Sequence, residues 1–248
     1  MGETIEITTE AGTAEAYLAR PEDAAGGLPG VLLYMDAIGL RARIEEMAER
    51  IASWGYVVLA PNVFYRDGSA AELAPPADLR IPENREQFFT AGGVMDRVGA
   101  YTPERSDADT LRWIETLLEH AEAPIGVIGY CMGARLATRA AGLRPDVVRA
   151  GGGFHGGGLV VEGHDSPHLK IADARAEFVY LHADQDHSMP VEAVEQLGKT
   201  LESAGLTYSN EIHEGAQHGY TMADTAPYHE EASERHFELL KSLFERAL

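Results

Sequence analysis

The chain's single cysteine lies in a glycine-flanked segment that could present a reactive thiol. This segment, Gly129-Tyr130-Cys131-Met132-Gly133, falls between an apolar run typical of a buried strand and a run with helical spacing. In an elbow of the form G-x-nucleophile-x-G, small neighbours let strand and helix approach closely, and the turn exposes the nucleophile. The helix N-terminus favours a thiolate, and the Met132 amide points toward a developing oxyanion. A buried structural cysteine is the alternative.

A cysteine nucleophile needs a base and an orienting acid, and both residue types follow predicted strands farther along the chain. Asp184 and Asp186 come directly after one strand, and His218 lies in a small-residue loop after the next. Enzymes with this elbow carry nucleophile, acid and histidine in that chain order. The sequence therefore predicts Cys131, Asp186 and His218 as a catalytic triad, with Asp184 as the competing acid.

The elements that must position these residues alternate between strands and helices. Apolar runs and alternating patterns predict strands at 3–9, 13–19, 30–36, 56–60, 124–130, 147–154, 177–183 and 207–213. Helical spacing predicts helices at 41–54, 106–121, 132–142, 190–204 and 232–247. This alternation indicates a mostly parallel central sheet with helices on both faces, in a single domain over 1–248. Residues 63–103 are rich in Gly and Pro, and we expect a partial cap there.

Composition narrows the classes of partner. The chain has 248 residues, with 20 Lys and Arg against 40 Asp and Glu, so its formal net charge is −20. Nucleic acid and anionic membranes are unfavourable partners for such a chain. No signal peptide or membrane span is evident, so we expect a cytoplasmic protein, either a monomer or a small homo-oligomer. The sequence shows no metal-ligand spacing and no phosphate loop, so we expect no metal and no cofactor.

With these residues placed, the sequence resembles the dienelactone hydrolase family from about residue 4 to the last helix. The resemblance is carried by the segment 129–133, by Gln185-Asp186-His187 ahead of Met189-Pro190, and by Gly215-Ala216-Gln217-His218. It implies a three-layer α/β-hydrolase fold without a large separate lid. It also implies hydrolysis of a small carboxylic ester or lactone through a thioester on the cysteine.

The family resemblance also implies residues that modulate the thiol and bind the oxyanion. Family members carry an acid, usually Glu, at the end of an early strand, where it touches the resting thiol, and Asp36 stands at that place. The implied thiol is neutral at rest and becomes a thiolate when substrate binds. The backbone amides of Ala37 and Met132 are the expected oxyanion donors. Asp36 as a polar strand end or a helix cap is the alternative.

Arginines hold the substrate carboxylate in this family, and the match here is incomplete. Arg85 stands in the segment that carries one of them, while Phe89 replaces a family tyrosine four residues later. Met222 stands where the second arginine is expected. We expect Arg85, Phe89, Tyr130 and Tyr220 to contact substrate, with a surface charge as the alternative for Arg85.

Three other functions are compatible with parts of the pattern. One is a cysteine carboxylesterase with a different substrate range. A second is a glutaminase-type amidotransferase, which also uses a strand–Cys–helix elbow and needs a His-x-Glu pair. The segment His229-Glu230-Glu231 matches that sequence pattern. The third is a non-catalytic small-ligand-binding member of the fold, because a fold alone does not establish activity.

Overall fold

The computed structural model of the protein describes residues 2–22 and 27–248. In this part of the chain, eight strands form one sheet in the order β1-β2-β4-β3-β5-β6-β7-β8. Their bounds are β1 Gly2–Thr9, β2 Gly12–Ala19, β3 Pro29–Tyr34, β4 Val57–Pro61, β5 Glu122–Tyr130, β6 Val148–Phe154, β7 Glu177–Ala183 and β8 Tyr208–His213.

The sheet is mostly parallel, as the sequence predicts. Strands β1 and β2 form an antiparallel hairpin in which Gly2 pairs with Ala19 and Thr9 with Gly12, and β2 continues antiparallel to β4. All other neighbouring strands are parallel. The carboxyl ends of β3, β5, β6, β7 and β8 therefore meet at one edge, which is where sheets of this kind bind ligands.

Helices cover both faces of the sheet. The main ones are α1 Ala42–Ala52, α5 Pro103–Leu118, α6 Met132–Leu143, α7 Val191–Ser203 and α8 Glu230–Ala247. Successive residues of a strand point to opposite faces. A methyl group built on Gly152 of β6 would meet Leu240 of α8, whereas one on Gly153 would meet Ala134 of α6. Helices α8 and α6 thus lie on opposite faces, and the predicted three-layer fold is confirmed.

Both ends of helix α5 lie three residues before the ends that the sequence predicted. Helix α5 begins at Pro103 and ends at Leu118, whereas helical spacing alone predicted 106–121. Proline is favoured in the first turn because the missing amide hydrogen has no helical acceptor there. Among the described residues, no helix combines the length and apolar character that a membrane crossing requires.

Two segments between the main elements border the carboxyl edge. Residues 63–103 contain the short helices α2 Ala70–Leu73, α3 Pro82–Ala91 and α4 Val94–Ala100. The connection after β6 contains a 3₁₀ helix, Pro167–Asp173, which periodicity did not predict. These two segments supply walls of the cavity described below.

Candidate active site

Cys131 occupies a strained turn between β5 and α6. Its backbone angles are φ 54° and ψ −117°, in a region that costs a non-glycine residue about 1–3 kcal/mol. The flanking glycines permit this turn: a methyl group on Gly129 would overlap the Gly133 carbonyl, and one on Gly133 would lie 2.6 Å from the Tyr34 carbonyl oxygen. The strand, the turn and the helix therefore approach as closely as the elbow motif predicts.

The half-buried thiol opens into a cavity of about 950 Å³ at the carboxyl edge of the sheet. This volume suits a small organic ligand. The walls come from the elbow, the loops after β3, β6, β7 and β8, and helices α3 and α4. The lining side chains and glycines include Ala37, Arg85, Phe89, Met95, Val98, Met132, Arg135, Gly157, Gly158, Asp184, Asp186, Ser188, Gln217 and His218.

His218 lies beside the thiol and is oriented by Asp186. The Nδ1 atom of His218 is 2.6 Å from Oδ2 of Asp186, whose side chain is only 4% exposed. Ser188 supports that carboxylate by donating its backbone amide and its hydroxyl to Oδ1, at 2.8 and 2.7 Å. Asp184 instead accepts the Gly215 amide at 3.1 Å. The structure thus brings Asp186, and not Asp184, to the histidine.

The three side chains shift one another's pKa toward a charged pair. Burial raises the pKa of the Cys131 thiol, but the His218 charge and hydrogen bonds from His218 and the Met132 amide bring it below its usual value. Burial lowers the pKa of His218, whereas the Cys131 charge and the bond to Asp186 raise it to about 10. For Asp186, burial is outweighed by hydrogen bonds from His218 and Ser188, which lower its pKa to about 2. The charges of Cys131 and His218 therefore stabilise each other.

Two backbone amides are available to an oxyanion. Met132 begins α6 and its amide donates toward Cys131. Ala37 follows β3, is 4% exposed and lines the cavity. Within residues 2–22 and 27–248, the Ala37 amide has no hydrogen-bond partner, which is unusual for a buried amide. An oxygen bound in the cavity would satisfy it.

Comparison with known proteins identifies the family of this chain. The family model described as the dienelactone hydrolase family matches residues 14–248. The chain belongs to the dienelactone hydrolase family. That membership indicates a hydrolase acting on ester or lactone bonds.

Individual relatives match over nearly the whole chain. A carboxymethylenebutenolidase of Rhodococcus opacus is 27% identical over 235 residues, which cover 94% of this chain and 86% of the relative. A Synechocystis protein that carries the same name provisionally is 27% identical over 236 residues, covering 94% and 91%. The structure of a Klebsiella pneumoniae protein, provisionally named a dienelactone hydrolase, aligns with a TM-score of 0.82 at 24% identity, covering 99% and 98%. This structure supports the fold.

Asp36 departs from the role that the dienelactone hydrolase family implies. Both of its carboxylate oxygens accept hydrogen bonds from Arg41, at 2.7 and 3.1 Å, and Oδ1 also accepts the Ile38 amide. Arg41 in turn binds Asp224 at 2.6 and 3.2 Å. The acid is therefore paired with a buried guanidinium. It still raises the pKa of Cys131 through its charge, an effect smaller than the opposing effect of the His218 charge.

Arg85 and Phe89 lie on the cavity wall formed by α3. The Arg85 guanidinium lies 5.0 Å from the centroid of the Phe89 ring, within the range of a cation–π contact. The Nε atom of Arg85 is buried and has no hydrogen-bond partner among the described residues. Both side chains are positioned to meet a ligand.

Tyr130 and Tyr220 do not line the cavity, which corrects the expectation that they contact substrate. Both are fully buried. The Tyr130 hydroxyl lies 3.3 Å from Nε2 of His236, and the Tyr220 hydroxyl donates to the Leu181 carbonyl at 2.9 Å. Tyr130 directly precedes Cys131 and Tyr220 lies two residues after His218, but both side chains are buried in the core.

Sequence reasoning missed residues that the fold brings to the cavity. Arg135 lines the cavity from the first turn of α6. In the sequence, a charged residue at this position is typical of the polar face of a helix. Ser188 lies two residues after Asp186, a spacing typical of an Asx turn, and that signal could have identified it. Gly157 and Gly158 follow β6 in a loop for which the sequence offers no motif.

The remaining sequence candidates lie apart from this cavity. The His229 ring accepts a hydrogen bond from the Ala232 amide at 3.2 Å and caps α8. The His-x-Glu sequence therefore belongs to the N-terminus of a helix. In the described part of the chain, no group of three or more His, Cys, Asp or Glu side chains is arranged to hold a metal ion.

Proposed function

We propose that this chain hydrolyses carboxylic esters or lactones with Cys131 as the nucleophile, through a thioester intermediate. The observation that carries the proposal is the Cys131–His218–Asp186 arrangement at the mouth of a ligand-sized cavity. Family membership supports the same class of bond. The substrate is expected to be a small molecule, because the cavity is of that size.

In the first half-reaction, the Cys131 thiolate attacks the acyl carbon and the carbonyl oxygen becomes an oxyanion. The amides of Ala37 and Met132 stabilise that oxyanion, and each such donor typically contributes about 2.7–4 kcal/mol in the transition state. The carbon–oxygen bond to the leaving group then breaks. Because the pKa of His218 is raised to about 10, its imidazolium holds the proton that the departing alkoxide needs.

In the second half-reaction, water attacks the thioester. His218, now neutral, takes a proton from that water, and Cys131 leaves as a thiolate that pairs again with the imidazolium. Asp186 holds Nδ1 throughout, so Nε2 is the nitrogen that faces the reacting groups. The net reaction consumes one water and yields an acid and an alcohol, or a hydroxy acid from a lactone.

The decisive experiment compares the wild type with Cys131→Ala on 4-nitrophenyl acetate and on a dienelactone. We expect the variant to lose all enzyme-dependent hydrolysis while keeping the wild-type melting temperature. Wild type quenched in acid during turnover should carry an acetyl group, which peptide mass spectrometry should place on Cys131. Activity retained by Cys131→Ala would refute the cysteine mechanism.

A matched histidine pair tests the base. His218→Gln should abolish hydrolysis, whereas His164→Gln should have no effect, because the His164 side chain is 93% exposed and outside the cavity. If wild type hydrolyses no member of a panel of aryl esters and lactones, the non-catalytic ligand-binding function replaces this proposal.

A further inference from the structure

The Ser188 hydroxyl contacts both the acid and the base of the proposed triad. Its Oγ atom lies 2.7 Å from Oδ1 of Asp186 and 3.4 Å from Nδ1 of His218. The second carboxylate oxygen, Oδ2, lies 2.6 Å from the same Nδ1 atom. The three side chains therefore form a closed triangle of polar contacts at Nδ1 of the histidine.

The chemistry of the donors and acceptors fixes the hydrogens of this triangle. The pKa of Asp186 is lowered to about 2, and an ionised carboxylate can only accept hydrogen bonds. The hydroxyl hydrogen of Ser188 therefore points to Oδ1, the nearer neighbour, and the lone pairs of Oγ face Nδ1 of His218. A ring with its hydrogen on Nε2 would set the Nδ1 lone pair against both oxygens. The triangle therefore selects the ring that carries its hydrogen on Nδ1.

Ser188 forms the cavity side of this triangle. It is exposed and lines the cavity, whereas the Asp186 side chain is 4% exposed. A water molecule in place of the hydroxyl could donate to Asp186 or to the ring, and so would favour neither tautomer. The fixed hydroxyl therefore provides an orientation that solvent would not provide.

Gly157, in the loop after β6, leaves room for this hydroxyl. A methyl group built on Gly157 would lie 2.7 Å from Oγ of Ser188 and 3.6 Å from Cε1 of His218. The Gly158 amide donates to the Ser188 carbonyl at 2.8 Å, which holds the loop close to Ser188. A side chain at position 157 would therefore push the hydroxyl away from its place between the acid and the base.

We propose that Ser188 is a positioning residue that acts through Asp186 to keep His218 in the tautomer that proton transfer requires. This inference rests on the proposed function of the same site. In the first half-reaction, Nδ1 keeps its hydrogen on Asp186 while Nε2 gives its proton to the departing alkoxide. In the second, Nε2 takes a proton from water. Ser188 exchanges no proton in either step.

The test is Ser188→Ala, which removes only the hydroxyl, because the Ser188 amide and carbonyl keep their bonds to Asp186 and Gly158. The substrate is ethyl acetate, since its alkoxide must be protonated as it departs. We expect kcat to fall about tenfold, as for a lost hydrogen bond to a charged group, while KM changes by less than about twofold. The melting temperature should stay that of wild type.

The matched control is Ser203→Ala, because the Ser203 hydroxyl donates to the Lys199 carbonyl on the surface of α7. It should leave kcat and KM unchanged. In an Asp186→Asn background, Ser188→Ala should change kcat by less than about twofold, because the carboxylate through which it acts is gone. A tenfold loss in both backgrounds would mean that the hydroxyl acts independently of Asp186 and would overturn the inference. So would wild-type kcat in Ser188→Ala.

Nuclear magnetic resonance of the His218 ring tests the inference without turnover. The Nδ1 hydrogen should exchange with water about tenfold faster in Ser188→Ala than in wild type or Ser203→Ala, because the hydroxyl covers that contact from the cavity. Equal exchange rates would overturn the inference. If wild type hydrolyses no ester or lactone, the proposed function fails, and this exchange rate alone decides whether Ser188 holds the ring.

Discussion

Asp36 binds Arg41 through both carboxylate oxygens, at 2.7 and 3.1 Å, directly beside the proposed oxyanion loop. The Arg41 side chain is 9% exposed, and it also binds Asp224 in the segment that follows His218. One guanidinium therefore ties the loop after β3 to the loop after β8. It also opposes the negative charge of Asp36, which would otherwise act against a thiolate at Cys131.

Arg41→Met should therefore make the thiol less reactive at neutral pH. With its counter-charge removed, Asp36 should raise the pKa of Cys131 through its charge, and alkylation by iodoacetamide at pH 7 should slow about tenfold. Adding Asp36→Asn to Arg41→Met should restore the rate, because the unpaired negative charge is then gone.

The control for this pair is Arg50→Met. Arg50 lies on α1, which begins directly after Arg41, and pairs with Glu234 at the surface, at 2.5 Å, so its loss should leave the alkylation rate unchanged. A double variant as slow as Arg41→Met alone would mean that Arg41 acts by holding the loops rather than by balancing charge.

The pH dependence of hydrolysis should follow the Cys131–His218 pair. Activity needs the thiolate, whose pKa is lowered, so it should rise with pH at values below those of an ordinary thiol. Protonation of the leaving group needs the imidazolium, whose pKa is about 10, so activity should fall as pH rises through that value. The measurement is kcat/KM for an ester of an aliphatic alcohol, such as ethyl acetate, from pH 5 to 11, because such a leaving group must be protonated as it departs. A rise that begins only at the pKa of a free thiol would contradict the ion pair.

Much of the fold could be predicted because its signals are local. The β4 segment is an unbroken apolar run, and α1 shows helical spacing of its apolar residues. The glycines around Cys131 predict the turn. The start of α5 was missed because apolar spacing begins later than the helix. Pro103 was the signal that could have corrected it.

The site could be predicted only where a motif marks it. Asp186 and His218 follow strand ends in the expected chain order. Arg41 and Asp224 are 183 positions apart in the sequence, and no local sequence pattern predicts their contact. Arg135 could not be recognised because no motif marks it, and only the fold places its side chain on the cavity wall.

Gly133→Ala should destabilise the protein and abolish hydrolysis together. A methyl group there would lie 2.6 Å from the Tyr34 carbonyl oxygen, so α6 would have to move away from β3 and carry the Met132 amide with it. Overpacking of this kind costs about 1–3 kcal/mol.

Gly99→Ala is the control, because Gly99 is in α4 with open space around it. That substitution should preserve activity and leave the melting temperature equal or higher. Equal melting temperatures for wild type and Gly133→Ala would show that the elbow tolerates a side chain.

Asp186→Asn and Asp184→Asn form a matched pair that separates orientation of the histidine from charge in the cavity. Both carboxylates line the cavity, but only Asp186 contacts Nδ1 of His218. An amide there can donate its NH₂ group to Nδ1, which places the ring proton on Nε2, so the nitrogen that faces the thiol can no longer accept a proton. We expect Asp186→Asn to reduce kcat by about a hundredfold or more, and to lower the pKa of His218 by removing its negative partner. Asp184→Asn weakens only the acceptor of the Gly215 amide, so kcat should fall less than about tenfold. Nuclear magnetic resonance titration of the His218 ring, beside steady-state kinetics, measures both effects. Similar losses of kcat in the two variants would mean that cavity charge, rather than the Asp186–His218 contact, sets the rate.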